Sequence, residues 1–302
     1  MSPIASASTG EGSGTASAFQ ADLELAVEMA RDSGRLLMDR YERVEQIDYK
    51  GARDVVTEVD HLSEELIIRA IQDRRPGDTI LAEESGDVVR GDDGPPATIS
   101  TASQAPLPDP LPGRAIGRTW VIDPLDGTVN YANGIPIFCV SIAMLVDGQP
   151  AVGVVHDPTR GETFAAAIDG AATLDARLIA VSDKERLGDY VISMALGGRA
   201  ATLRARAIRK RIRVSRSMGS AALALAYVAN GRFDAFIQWG GLSSWDIAAA
   251  GLIAARAGAT VTDVHGGRWF DVGRAHRAAG VLAAPPAHHP VLLKLITEPP
   301  AP

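Results

Sequence analysis

A short apolar run, Thr119-Trp120-Val121-Ile122, leads directly into two carboxylates three residues apart, Asp123-Pro124-Leu125-Asp126, and then into Gly127-Thr128-Val129-Asn130. A β-branched and aromatic run of this kind reads as a buried strand. Any fold this chain adopts must therefore carry two acids out of its interior together. Pro124 fixes its own φ and biases Asp123 toward extended geometry, so both side chains are able to converge on one point. Asp126-Gly127-Thr128 reads as a helix start, where unpaired N–H groups suit a phosphate. Magnesium takes oxygen ligands, commonly one or two carboxylates plus substrate phosphate, and residues 120–130 supply both halves of that arrangement. A turn with an Asp N-cap explains Asp-Gly-Thr alone, but not the whole string.

Further acids lie elsewhere in the chain. Glu83 and Glu84 follow a short strand at residues 80–82, Asp60 closes Thr57-Glu58-Val59-Asp60, and Asp246 follows Trp245 at the head of an Ala-rich helix. First-turn acids stabilise a helix by about 0.3–1 kcal/mol, which accounts for Asp60 or Asp246 singly. It does not account for their presence together with the Asp123 segment.

The rest of the pattern is that of a layered α/β chain. Leu23, Ala26, Val27, Ala30, Gly34, Leu37 and Tyr41 recur at helical spacing. A second helix is expected from about Asp60, with Leu62, Leu66, Ile67 and Ile71 as its stripe and Pro76-Gly77 as its stop. Apolar runs at 138–146 and 150–156 flank Asp147-Gly148, a hairpin signal. A third run, 163–168, follows turn residues, so the middle of the chain predicts an antiparallel sheet. Helix at 220–230, strand at 233–237, helix at 245–257 and strand at 259–262 follow, with a short helix at 291–296. Residues 1–18 read as a disordered tail, 19–180 as an N-terminal half with most of the acids, and 181–302 as a C-terminal half supplying Asp246. Residues 86–118, rich in Gly, Pro, Asp and Ser, predict a long surface loop, and deletion of 87–112 is expected to be tolerated better than any change at Glu83.

Four motifs in this order, Asp54-Val55-Val56-Thr57-Glu58-Val59-Asp60, Ala82-Glu83-Glu84-Ser85, Asp123-Pro124-Leu125-Asp126-Gly127-Thr128 and Trp245-Asp246, make the chain resemble the inositol monophosphatase family of lithium-sensitive, metal-dependent phosphatases, from about residue 20 to 295. The resemblance implies an αβαβα sandwich of the sugar-phosphatase type. It places Glu83, Asp123 and the Leu125 carbonyl on a first Mg²⁺ and Asp123, Asp126 and Asp246 on a second, with a weaker third near Glu83. It gives Gly127 and Thr128 N–H groups to the phosphate and sets Asp126 and Asp246 beside the substrate. Thr128, paired with Asp60, orients the attacking water, with Glu83 also in the catalytic set, and Lys50 lies near the site. It implies a small phosphorylated polyol or sugar as substrate, and a homodimer.

Two departures bear on the substrate. Val129 stands where the family usually has Thr or Ser, so its side chain offers no donor. Before Trp245, an acidic residue that contacts substrate hydroxyls in members acting on inositol phosphate is replaced by Gln238 or Trp239. Histidinol phosphate, fructose bisphosphate and adenosine 3′,5′-bisphosphate are therefore alternatives, as is a non-catalytic regulatory role on the same scaffold.

Other classes fit poorly. A net charge of −7 and a pI near 5.4 argue against a general polyanion binder, and no nucleic-acid partner is expected. The nucleophile motif of haloacid-dehalogenase-type phosphatases needs an Asp two positions before Asp126, where Pro124 stands. The six histidines form no zinc pattern, and His288-His289 reads as solvated tail. One cysteine, Cys139 in an apolar run, reads as a buried small hydrophobe in a cytoplasmic chain. No stretch suits a membrane span. The basic residues between Arg204 and Arg216 read as a solvated helix face and loop, or else as a docking surface for an acidic partner or cations near the substrate.

Overall fold

The computed structural model describes residues 17–41, 47–51, 54–85, 88–90, 117–195 and 199–298. The chain runs α1 (Gln20–Arg40), β1 (Ile47–Gly51), β2 (Asp54–Thr57), α2 (Glu58–Arg74), β3 (Thr79–Ala82), β4 (Val88–Arg90), β5 (Arg118–Asp126) and α3 (Thr128–Ala132). It continues β6 (Cys139–Val146), β7 (Gln149–Asp157), β8 (Glu162–Ala167), β9 (Thr173–Leu174), β10 (Arg177–Leu178), β11 (Val191–Ala195), α4 (Arg199–Arg209) and β12 (Val214–Arg216). The last elements are α5 (Ala221–Ala229), β13 (Ala235–Leu242), α6 (Ser244–Arg256), β14 (Thr260–Asp263), β15 (Ala279–Ala284) and α7 (His289–Thr297).

Eight strands form one sheet in the order β10-β9-β8-β7-β6-β5-β3-β4, and five form another in the order β12-β11-β13-β15-β14. Strands apolar on both faces require cover on both sides. In the larger sheet Trp120, Ile122, Ile142 and Val154 pack under α1 and α2, while Val121, Ala143 and Val155 pack against α5 and α6. The smaller sheet turns Phe236, Val281 and Ala283 to that same helical layer and Ile237, Leu282 and Ala284 to α4 and α7. The result is an αβαβα sandwich. Helix α5, made of Ala, Leu, Tyr and Val, is buried along its whole length, as expected of a helix that is apolar all round.

Several expectations meet the structure directly. The Asp147-Gly148 hairpin joins β6 to β7 with both residues at positive φ, 48° and 74°, the requirement of a type I′ turn. Gly231, at φ 72°, follows α5. Cys139 is buried.

Others need correction. Helix α2 begins at Glu58 and buries Val59, Ser63, Ile67 and Ile71, whereas Leu62 of the expected stripe is 37% exposed. Val88–Arg90, inside the expected loop, pairs antiparallel with β3, so a deletion of 87–112 would remove an edge strand; residues 91–116 and 1–16 lie outside the described residues. His288 and His289 are not solvated tail. Tyr190 Oη and His288 Nδ1 are 2.6 Å apart, and His289, 4% exposed, shares a hydrogen bond with Thr262. Strands β11, β12 and β15, which carried no clear turn or period signal, complete the smaller sheet.

The helix that brings Asp246 is seated by one close approach. A Cβ on Gly153 of β7 would stand 2.7 Å from the Ala249 carbonyl oxygen and 3.0 Å from its Cα, so α6 lies backbone-to-backbone on the sheet. Gly153→Ala is expected to destabilise the fold by about 1–3 kcal/mol, the range for overpacking a tight core, seen as a lower urea midpoint at unchanged slope. An unchanged midpoint would show that α6 does not depend on this contact.

Candidate active site

Strand β5 would ordinarily point residues three apart to opposite faces. Against β6, however, Asp123 lies opposite Ser141 and Asp126 opposite Cys139, so three steps on one strand match two on the other. This bulge absorbs one residue and turns the two carboxylates the same way. The Leu125 N–H donates to Asp123 Oδ1 at 3.1 Å, closing the turn that Pro124 favours. Gly127, at φ 104°, ends the strand; a Cβ there would meet the Ile137 carbonyl at 2.9 Å. The five-residue α3 starts at Thr128.

Three further elements meet this turn. Glu83 follows β3, which runs parallel to β5, and its N–H donates to the Ile122 carbonyl at 3.2 Å. Asp246 occupies the first turn of α6, where Ser243 and Asp246 form a capping box with a Ser243 N–H to Asp246 Oδ2 distance of 2.6 Å. Carboxylate oxygens of Asp123, Asp126 and Asp246 lie within 4.8 Å of one another. Asp60, 1% exposed in the first turn of α2, accepts from the Thr128 hydroxyl at 3.1 Å, and the same hydroxyl reaches the Leu125 carbonyl at 3.0 Å. A hydroxyl has one proton, so it serves one of these acceptors at a time.

Supporting contacts went unseen in the sequence. The Ser220 hydroxyl donates to Asp126 Oδ2 at 2.5 Å, and N–H groups of Ala221, Ala222 and Leu223, at the start of α5, also point at that carboxylate. Glu64, one turn beyond Asp60 on α2, accepts N–H bonds from Glu84 and Ser85 at 2.8 and 2.9 Å and so holds the Glu83 turn. Ser63 donates to the Pro124 carbonyl at 3.0 Å. Glu64 sits at i+4 from Asp60, a spacing that places both on one helix face and was the available signal.

Glu83, Asp126 and Asp246 line a cleft of about 300 Å³ together with Gly127, Thr128, Val129, Ser193, Gln238 and Arg277, while Asp60 and Asp123 are buried behind its wall. Gln238 lines this cleft, while Trp239 packs against Arg204, 4.8 Å from its ring centre, and against His265. Of the two candidates left by the sequence, Gln238 is the one on the cleft wall. Val129 is 49% exposed at the rim. The basic stretch makes α4 and β12 and lines no part of the cleft; Arg213 pairs with Asp189 at 3.0 Å. Lys50 falls on β1, and its side chain lies outside what is described.

Burial, then the neighbouring charges of Glu83, Asp126 and Asp246, push the Asp123 carboxyl well above the usual carboxylate range. Burial also raises Asp126, against the lowering effect of Ser220 and the α5 N–H groups. Asp246 is pushed up to about 7 by removal from water and by the Asp126 charge, with the Ser243 N–H and Arg277 opposing. Desolvation pushes the Cys139 thiol up, so no soft thiolate competes in the cluster. A set of buried carboxylates that resist ionisation together, all hard oxygen donors, fits a divalent cation of the magnesium type.

A model of the inositol monophosphatase family matches residues 20–300. Among similar proteins, one from Pasteurella multocida named Nus factor SuhB is 36% identical over 82% of this chain and 87% of its own length. An inositol monophosphatase of Dictyostelium discoideum is 34% identical over 82% and 86%. A protein of Thermotoga maritima named fructose-1,6-bisphosphatase/inositol-1-monophosphatase is 34% identical over 81% and 85%. The solved structure of extragenic suppressor protein suhB from Bartonella henselae superposes with a TM-score of 0.78 at 30% identity, covering 92% of this chain and 99% of that one.

The raised carboxyls set a pH dependence. A carboxyl raised on folding contributes stability below the ordinary carboxylate range that is lost as pH rises through its raised value, here up to about 7 for Asp246. A cation reverses this, because it needs the ionised forms. Calorimetric titration of Mg²⁺ in two buffers of different ionisation enthalpy at about pH 6.5 is expected to show net proton release, with affinity rising toward pH 8. Binding with no proton release would contradict it.

Proposed function

The chain belongs to the inositol monophosphatase family, a family of phosphoric monoester hydrolases, and from that premise we propose that it hydrolyses the monoester of a small polyol or sugar in a Mg²⁺-dependent reaction. The observation that carries this reading is the convergence of Asp123, Asp126 and Asp246 within 4.8 Å, at the wall of a cleft that Asp126, Asp246, Gly127 and Thr128 line. Glu83, Asp123 and the Leu125 carbonyl would hold one cation and Asp123, Asp126 and Asp246 a second, with a third near Glu83.

When bound, these cations offset the charge of the phosphate dianion and acidify a water for in-line attack. The chain supplies the rest. The N–H groups of Gly127 and Thr128 face the phosphate. The Thr128 hydroxyl donates its hydrogen bond to Asp60, which leaves its oxygen to accept a hydrogen bond from the attacking water and leaves the Leu125 carbonyl available as a ligand. Asp126 and Asp246 border the alcohol side of the cleft. A volume of about 300 Å³ sits at the low end of ligand pockets and suits a small ester. Gln238 presents a neutral amide there, which accepts and donates to hydroxyls without favouring the partner that an acid would select. A cytoplasmic setting, supported by the buried single cysteine, and a pairing of two copies belong to the same proposal.

A second reading, regulation without turnover, takes its support from the relatives named Nus factor SuhB. Phosphate release from a panel of sugar and polyol phosphates, with and without Mg²⁺, separates the two; no turnover on any of them would favour regulation. Within the enzymatic reading, Asp123→Asn should cut turnover by about a thousandfold or more, since cation charge contributes several kcal/mol to the transition state. Its metal-free form should melt no lower than the parent, because a buried like charge is gone. Full activity in this variant would refute the assignment.

A further inference from the structure

Asn130 closes the segment that dominates the sequence, yet nothing in the catalytic reading uses it. Its buried side chain donates to the carbonyls of Ile137 at 2.7 Å and Met218 at 2.8 Å. Met218 lies 88 positions away, in the turn between β12 and α5. The next residue, Gly219, has φ 78°, and a Cβ there would stand 2.9 Å from the Asn130 amide nitrogen. Asn130 thus fills the space beside a backbone that no larger residue fits. Ser220 then brings its hydroxyl to Asp126 Oδ2 at 2.5 Å, where the N–H groups of Ala222 at 2.8 Å and Leu223 at 3.4 Å and the Cys139 thiol at 3.6 Å also point. Oδ1 receives the Ala221 N–H at 3.1 Å. The two oxygens of one carboxylate are therefore held unequally: Oδ2 is enclosed by protein donors, and Oδ1 is the less occupied.

We propose that Asn130 and Ser220 are positioning residues, which fix the entry of α5 so that Asp126 is held through Oδ2 and presents Oδ1 to the cation. The inference rests on the metal-dependent reading above. Asn130 does not line the cleft, and Ser220, which does, directs its hydroxyl to Asp126. Asn130 sets the path of residues 218–220, and Ser220 transmits it to the carboxylate. Outer partners of metal ligands typically change affinity by about 10- to 100-fold when removed, and a hydroxyl donated to a buried carboxylate is of the stronger, charge-assisted kind.

The test is calorimetric titration of the metal-free full chain with Mn²⁺ and with Mg²⁺, alongside thermal melting without metal. Ser220→Ala is expected to weaken affinity about tenfold or more, with Ser220→Thr recovering most of it, while the metal-free melting temperature stays near that of the parent. A parent chain that binds neither ion would overturn the metal reading and this inference together. Equal affinity in the parent and Ser220→Ala would overturn the inference alone. A lowered melting temperature with intact affinity would do the same, by reducing Ser220 to a structural role. Should Ser220→Ala not fold, Asn130→Ala is read on the same scale: weaker binding supports the inference and unchanged binding overturns it.

Discussion

Like charges gathered at one buried point are the constraint around which this molecule is arranged. Asp123, Asp126 and Asp246 bring their oxygens within 4.8 Å of one another, and Glu83 adds its charge to Asp123. No apolar core would tolerate them ionised without compensation. Removal from water, and then the Asp126 charge, raise the Asp246 carboxyl to about 7. Such a cluster is favourable only when protons or cations fill it.

The fold achieves this convergence by separate local devices. A bulge turns Asp123 and Asp126 to one side of β5. A capping box ties Asp246 to Ser243, and the seating of α6 on Gly153 sets where that helix begins. The first turn of α5 encloses Asp126. Two sheets face the shared α5–α6 layer: the larger brings Glu83, Asp123 and Asp126, α6 brings Asp246, and the smaller adds Ser193 and Gln238 to the cleft wall. Several devices share a property: Asp123 engages the Leu125 N–H through one oxygen, Asp246 engages Ser243 through one, and Asp126 engages α5 mainly through one.

The acids were legible in the sequence because each sits beside a recognisable boundary: Asp123 after a buried strand, Asp246 after Trp245 at a helix head, Glu83 after a strand end. Their neighbours were not. Ser220 reads as the first residue of a helix, and nothing local says that its hydroxyl crosses 94 positions to Asp126. Asn130 reads as part of a short helix, though its partners are Ile137 and Met218. His288 and His289, polar and near the chain end, read as solvated; Tyr190, just before β11, pairs with the half-buried His288, and Thr262 of β14 pairs with the buried His289. Alternation along β13 sends Gln238 to the cleft and Trp239 to Arg204 and His265, and the β13 bounds depend on its partners β11 and β15. Contacts written within a few residues survive translation into sequence pattern, and those that need tertiary closure do not.

Diffraction from crystals soaked in Mn²⁺ and inorganic phosphate, recorded at the manganese edge, addresses the central claim most directly. The account predicts anomalous peaks bridging Asp123 to Asp126 and Asp246 and to Glu83, with phosphate against the Gly127 and Thr128 N–H groups. Crystals that show no metal among these carboxylates, or carboxylates turned away from one another, would contradict it.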